Sequence, residues 1–248
     1  MEKTKTEWTK VKITRLCAFC ACQAFSLVSL VYFAIAGMLS QTLICLLSVI
    51  CLCLPDLLER LFKMKVALPL YLFVLAYAIC PMLGHAYKFY YRIAWWDTLL
   101  HTVGGVVFAI FGAYLPKVFL KKNDVNLLLC AAFGLFFSIS VSAVWEIIEY
   151  AADSLLHTDM QQDTIVSSLY SYLIGDKVGE IGAIETIYGV TVNGVPMQGY
   201  IDVGLIDTMT DVIFETLGAL AYCIVYLIDK GKRTALAYLG KPQTAKNE

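Results

Sequence analysis

Six apolar runs alternate along the chain with short polar stretches, at about 16–38, 42–58, 66–83, 97–119, 126–151 and 207–228. A helix needs roughly 20 mostly apolar residues to cross a bilayer, and these runs are near or above that length. Pro55 falls near the end of the second run, and Pro69 suits the first turn of the third. The aromatic stretch 85–96 carries Tyr87, Phe89, Tyr90, Tyr91, Trp95 and Trp96. Such residues favour the water–lipid boundary, so a short segment along the surface is expected there, ahead of a ligand-stacking platform. The long polar stretch 152–206 reads as a short helix over 163–174 and strands over 184–201. Asn193-Gly194, between apolar-alternating arms, is a two-residue hairpin signal.

The expected fold is an all-α integral membrane protein. A six-transmembrane-helix bundle carries one long extracytoplasmic loop with a β-hairpin. Its divisions are an N-terminal arm 1–15, a membrane domain 16–228 with the outer loop 152–206, and a tail 229–248. No internal repeat accompanies the Gly104-Gly105 break, as inverted-repeat transporters would show.

Composition agrees. Of 248 residues, 59% are hydrophobic and 16% charged, with mean hydropathy +0.70. Soluble domains hold about 45–50% apolar and about 25% charged residues. No basic patch with interleaved aromatics is present, which argues against a nucleic-acid partner. All nine cysteines fall within or at the ends of apolar runs, so no exported disulfide framework is expected. Cys17-x-x-Cys20 has no second ligand pair at zinc spacing and reads as helix packing. The first run has full spanning length and no small-x-small cleavage pattern, so it is expected to remain in the mature protein.

Charge sets the orientation. Lys and Arg collect in cytoplasmic segments of membrane proteins. Here they lie before the first run (Lys3, Lys5, Lys10, Lys12, Arg15), after the second (Arg60, Lys63, Lys65), after the fourth (Lys117, Lys121, Lys122) and after the sixth (Lys230, Lys232, Arg233, Lys241, Lys246). Only Lys88, Arg92 and Lys177 of the 19 fall in the other set of loops. The expected location is the cell inner (cytoplasmic) membrane, multi-pass, with both termini cytoplasmic and the bilayer as the main partner.

Three polar pairs then fall at matching depth near the outer face: Asp97-x-x-x-His101, Glu146-x-x-Glu149 and Asp207-x-x-x-Asp211. Residues three or four apart share a helix face. Ionisable groups inside membrane helices are costly and usually mark function. Asp97 and Asp207 also suit helix N-caps. Capping does not account for His101 or Asp211, and Glu146 and Glu149 end a helix where its dipole disfavours negative charge. Five carboxylates at one depth need rim cations such as Lys88 and Arg92, protonation, or a divalent metal. The candidate ligands are His101, Glu146, Glu149 and Asp211. Asp97 would orient His101, and Asp207 would be a ligand or general base; these two are the candidate catalytic residues. One His with several carboxylates suits Zn, Mn or Fe, while an all-oxygen subset suits Mg or Ca. Asp153 and Glu215 extend the acidic faces, and Gly104, Gly105 and Gly218 suit close helix approach.

These motifs resemble the YjdF-like family of bacterial inner-membrane proteins. The matching residues are Trp96-Asp97-Thr98-Leu99-Leu100-His101 with Gly104, then Trp145-Glu146-Ile147-Ile148-Glu149-Tyr150, then Asp207-Thr208-Met209-Thr210-Asp211. A weaker similarity runs to VanZ-like membrane proteins. The resemblance implies a multi-span membrane protein with a polar, outward-facing site. The chain departs from the pattern in a longer outer loop and in Glu215, which lies outside the motif.

Three functions compete. The first is a metal-dependent enzyme acting on a lipid-linked or envelope substrate. The second is a cation- or proton-coupled transporter, which the apolar inner halves of the fifth and sixth runs oppose. The third is a non-catalytic envelope or stress-response protein with a structural acidic cluster. The orientation itself is directly testable. A reporter active only outside the cytoplasm is expected to work when fused at Ser40 or His157 and to fail at Lys65 or Lys122; the reverse pattern would refute the charge argument.

Overall fold

Apolar runs in lipid must satisfy their own backbone, and the helix does so within one segment. The computed structural model describes residues 2–62, 65–122 and 124–231, with side chains from residue 9 onward. Met1, Lys63 and the tail from residue 232 lie outside the described residues, as do the side chains of Lys3 and Lys5. Among the described residues there are eight α-helices: α1 Glu2–Ile35, α2 Leu39–Cys51, α3 Leu54–Leu61, α4 Leu68–His85, α5 Phe89–Arg92, α6 Trp96–Leu120, α7 Leu127–Leu156 and α8 Leu205–Ile228. Among the described residues, six stretches are long and apolar enough to cross a membrane: Thr9–Ile35, Leu39–Leu61, Leu68–His85, Trp96–Leu120, Leu127–Leu156 and Leu205–Ile228.

The expected spans hold with adjusted edges. α1 begins inside the basic arm. The second span is two helices, because Pro55 starts α3 after a short turn rather than closing one continuous rod. Pro69 sits in the first turn of α4, as its missing N–H favours. Large apolar side chains stay exposed on the outward faces, among them Val28 at 69% and Phe136 at 66%. A soluble surface would not carry them in such number.

The chain divides into two compact units, Met1–Ala143 with Asp211–Glu248, and Val144–Thr210. In the first unit, α1, α2 and α4 pack on one another and α4 packs on α6. Small polar groups join them. Ser26 and Ser48 hydroxyls meet at 3.2 Å, and Ser48 donates to Ala78 O at 3.3 Å. Arg15 ties α1 to α3 and α4: its guanidinium lies 2.9 Å from Glu59 and 3.3 Å from Asp56, over the Tyr71 ring. The aromatic segment contributes the short α5, and Tyr87 turns back onto α1, bonding Ser29 at 2.8 Å and stacking on Phe25. Tyr91 and Trp95 remain exposed, as interfacial residues do.

Glycine sets the tightest crossings. A Cβ at Gly105 of α6 would run into Glu215 O of α8, and one at Gly218 of α8 into Thr102 O of α6. Gly134 of α7 and Gly112 of α6 make a second such crossing. The core among α6, α7 and α8 is Ala109, Ala113, Cys130, Ala131, Ala219, Tyr222, Cys223 and Tyr226.

The second unit holds six short strands: β1 Ile165–Val166, β2 Leu169–Ser171, β3 Gly182–Ile184, β4 Val190–Val192, β5 Val195–Met197 and β6 Tyr200–Ile201. They pair antiparallel as β1 with β6, β2 with β3 and β4 with β5. The Asn193-Gly194 turn is the expected hairpin, with φ of 49° and 82° at its two residues. The short helix expected over 163–174 is instead β1, β2 and a single 3-10 turn, Tyr172–Ile174. Pairing with β6 and β3 claims the backbone groups that a helix would have used.

Carboxylates tie this unit together. Asp153 accepts from Thr158 Oγ1, Met160 N and Gln161 N at 2.6–2.8 Å. The acidic face that Asp153 was expected to extend is therefore occupied in holding the backbone after α7. Asp202 accepts from Thr164 N and Ile206 N, both at 2.7 Å, and so steadies the start of α8.

Two measurements check this account. Gly105→Ala sets a methyl group against helix backbone and is expected to cost about 1–3 kcal/mol; a thermal unfolding curve in detergent identical to wild type would contradict the close approach. Asp202 supplies a pH signature. Burial raises its pKa, but the amides of Ile206, Thr164 and Gly204 together outweigh this and hold it below the ordinary 3.8. Its stabilisation is therefore full above pH 3.8 and lost as pH falls through the lower native value. Hydrogen exchange at Thr164 and Ile206, corrected for intrinsic rates, is expected to show that loss in wild type and not in Asp202→Asn.

Candidate functional site

The first turn of α6 carries Asp97. Its N-cap is Trp95, without a side-chain capping bond. Asp97 thus does not cap the helix. Its Oδ1 lies 3.6 Å from Nε2 of His101, one turn on along the same face. The same Nε2 lies 3.4 Å from Asp211 Oδ2 on α8. On the other side of the ring, Nδ1 faces Glu215 Oε2 at 3.6 Å. Glu215 is one turn beyond Asp211, so α8 presents its two carboxylates to the two nitrogens.

The group is sheltered. Side-chain exposure is 8% for His101, 3% for Asp211, 5% for Glu215 and 20% for Asp97. The helices can come this close because of the glycines. A Cβ at Gly104 would stand 2.5 Å from Tyr77 Oη and 3.7 Å from Glu215 Oε2, while the Tyr77 hydroxyl donates to Leu100 O at 2.9 Å. From α7, Ser138 Oγ lies 3.2 Å from both Glu215 Oε1 and Gly105 O. Ser142, one turn further along α7, is buried, and its hydroxyl has no hydrogen-bond partner among the described residues. Buried hydroxyls without a protein partner are usually met by water or a ligand.

Among the described residues, one ligand atom each from Asp97, His101 and Asp211 lie within 4.8 Å of one another. The separations from Nε2 exceed the 2.7–2.9 Å of a charge-assisted hydrogen bond. They match the edge of a tetrahedron around an ion with bonds of about 2.1 Å, which is roughly 3.4 Å. Two carboxylate oxygens and one imidazole nitrogen are a donor set that divalent transition ions accept.

The remaining sequence candidates fall in the second unit. Glu146 and Glu149, in the last part of α7, are both buried, each 6% exposed. Asp207 does not act as the N-cap of α8, which begins at Leu205. Its Oδ2 accepts from Gln162 N at 3.0 Å, and the neighbouring Thr208 hydroxyl bonds the Gln161 side chain. Ser138 and Ser142 went unnoticed in the sequence. The signal was the four-residue spacing 138, 142, 146, which puts both serines on the face of Glu146.

Residues 18–231 match the family described as Predicted membrane protein (DUF2238). The chain belongs to this family. The YjdF-like resemblance carried by the three motifs is consistent with that membership. No curated protein and no solved structure matches the chain. Membership and the six apolar helices together make it a membrane protein embedded in a lipid bilayer.

Proposed function

We propose that the protein binds one divalent transition-metal ion at Asp97, His101 and Asp211. The ion serves a hydrolytic reaction on a lipid-linked or envelope substrate at the outer leaflet of the cell membrane. The observation that carries this reading is the gathering of three ligand atoms within 4.8 Å in a buried site. The imidazole favours Zn²⁺, Mn²⁺ or Fe²⁺ over Mg²⁺ and Ca²⁺. Three protein ligands leave coordination positions open, as in catalytic rather than structural sites. When bound, such an ion polarises a phosphoryl or carbonyl oxygen or activates water. The chain's own part is to hold the ligands and shelter them from bulk water. In this reading Asp97 joins the ligands rather than orienting His101, and its approach to Nε2 from the same side as Asp211 supports that role.

Charge supports the same conclusion. Three carboxyl groups around one imidazole are formally in excess of negative charge even with the ring protonated, and a divalent ion offsets it. The outward orientation and cytoplasmic termini follow from the Lys and Arg bias.

Cation- or proton-coupled transport is the second reading, favoured by the polar line Glu215–Ser138. Against it stands the packing beyond that line. Ala109, Ala113, Cys130, Ala219, Tyr222 and Tyr226 close the inner end of α6, α7 and α8.

Metal content of the full-length protein in detergent tests the proposal. Wild type is expected to hold about one ion per chain, and Asp97→Ala, His101→Ala and Asp211→Ala to lose it. The sequence motifs add Glu146, Glu149 and Asp207 as candidates for the same substitution series. A folded wild-type protein without metal, whose unfolding is unaffected by added Zn²⁺ or Mn²⁺, would refute the reading. Turnover of labelled lipid-linked intermediates, set against ion flux in liposomes, separates enzyme from transporter.

A further inference from the structure

The two nitrogens of His101 face different groups. Nε2 faces Asp97 and Asp211 at 3.6 and 3.4 Å, and Nδ1 faces Glu215 at 3.6 Å. Their lone pairs diverge in the ring plane, so an oxygen opposite Nδ1 does not share an ion with Nε2. An imidazole that binds an ion through one nitrogen carries its proton on the other. The group that accepts that proton fixes both tautomer and ring orientation.

Glu215 is itself held. Its Oε1 lies 3.2 Å from the fully buried Ser138 Oγ, which is also 3.2 Å from Gly105 O. The α8 backbone at Glu215 is the point where α8 meets Gly105 of α6. The carboxylate is therefore fixed from its backbone and from its second oxygen, with Oε2 left toward the imidazole. No simpler packing role calls for an acid here, since burying a carboxyl group in a bundle is costly unless it has a partner.

We propose that Glu215 is the positioning residue of the site. It accepts the Nδ1–H of His101 and thereby makes Nε2 the ion-binding nitrogen, and Ser138 anchors it. This rests on the metal reading above. The 3.6 Å separation exceeds an ordinary N–H···O bond by about 0.5 Å. The terminal torsion of a glutamate is soft, and a small rotation closes the gap as Nε2 engages an ion. Catalytic hydrogen bonds commonly tighten in this way on loading.

The experiment uses full-length protein in detergent, with Zn²⁺ affinity measured by competition against a chromophoric chelator. Histidine nitrogen NMR of the Zn²⁺-loaded protein, assigned with His101→Ala, reports which ring nitrogen binds. Glu215→Ala is expected to weaken Zn²⁺ binding about 10–100-fold, the range for loss of such a partner, and to mix the two tautomers. Glu215→Gln keeps an acceptor oxygen and is expected to restore Nε2 ligation and most of the affinity. Ser138→Ala is expected to shift affinity in the same direction by less. The proposal is overturned if Glu215→Ala and Glu215→Gln both bind Zn²⁺ as wild type does, with Nε2 ligation unchanged. It is equally overturned if both weaken binding alike with the wild-type tautomer retained, which is the mark of a general packing role. Failure of wild type to bind Zn²⁺ at all would instead strike the metal reading, and this outcome is distinguishable from the other two. Unfolding curves of the metal-free variants identify any that are misfolded; if Glu215→Ala does not fold, Ser138→Ala carries the test, and wild-type Zn²⁺ affinity and Nε2 ligation in that variant overturn the proposal.

Discussion

Polar groups in hydrocarbon have no water to turn to, and this constraint organises the molecule. Backbone amides disappear into helices. Side-chain hydroxyls find carbonyls or one another, as Ser26, Ser48 and Ser138 do. Charged groups gather where they can compensate each other. Arg15 with Asp56 and Glu59 sets two acids around one permanent cation. Asp97, Asp211 and Glu215 instead surround His101, whose charge depends on protonation and whose ring nitrogens can ligate a metal. That difference in the central group makes the second cluster a candidate for chemistry and the first a clamp.

Close packing is what lets the acidic groups meet. α6 is the central element of the site, since it supplies Asp97 and His101 and carries Gly104 and Gly105 on its contact faces. With no Cβ at Gly105, the α8 backbone comes within reach, and Asp211 and Glu215 arrive opposite the two imidazole nitrogens. One turn of helix separates the two acids, which is enough to address both sides of the ring. The same close contacts continue inward as Ala109, Ala113 and Gly134.

The strand unit obeys a different rule. Its segments are too short to form a lasting sheet alone, and strands of two or three residues are held by their ends. Asp153, Asp202 and Asp207 accept the backbone amides of Met160, Gln161, Gln162, Thr164 and Ile206, and these bonds hold the loop backbone on either side of the strands.

Local information was enough for much of this. Run length and hydropathy named six spans, and Asn193-Gly194 named its hairpin, because spanning length and turn chemistry are properties of adjacent residues. Helical spacing also paired Asp97 with His101 and Asp207 with Asp211. It did not decide which nitrogen faces which acid, or that Asp97 would stand beside Asp211 rather than behind the ring. Nor did it give the bond that Asp207 accepts from Gln162 N. The stretch 163–174 went to strands for the same reason: its partners, residues 182–184 and 200–201, are distant in the chain. Sequence determines what each helix face offers. Only the crossing of α6 with α8, made at Gly105 and Gly218, decides which offers are taken up; the sequence marked these glycines for close approach but not the helix each would meet.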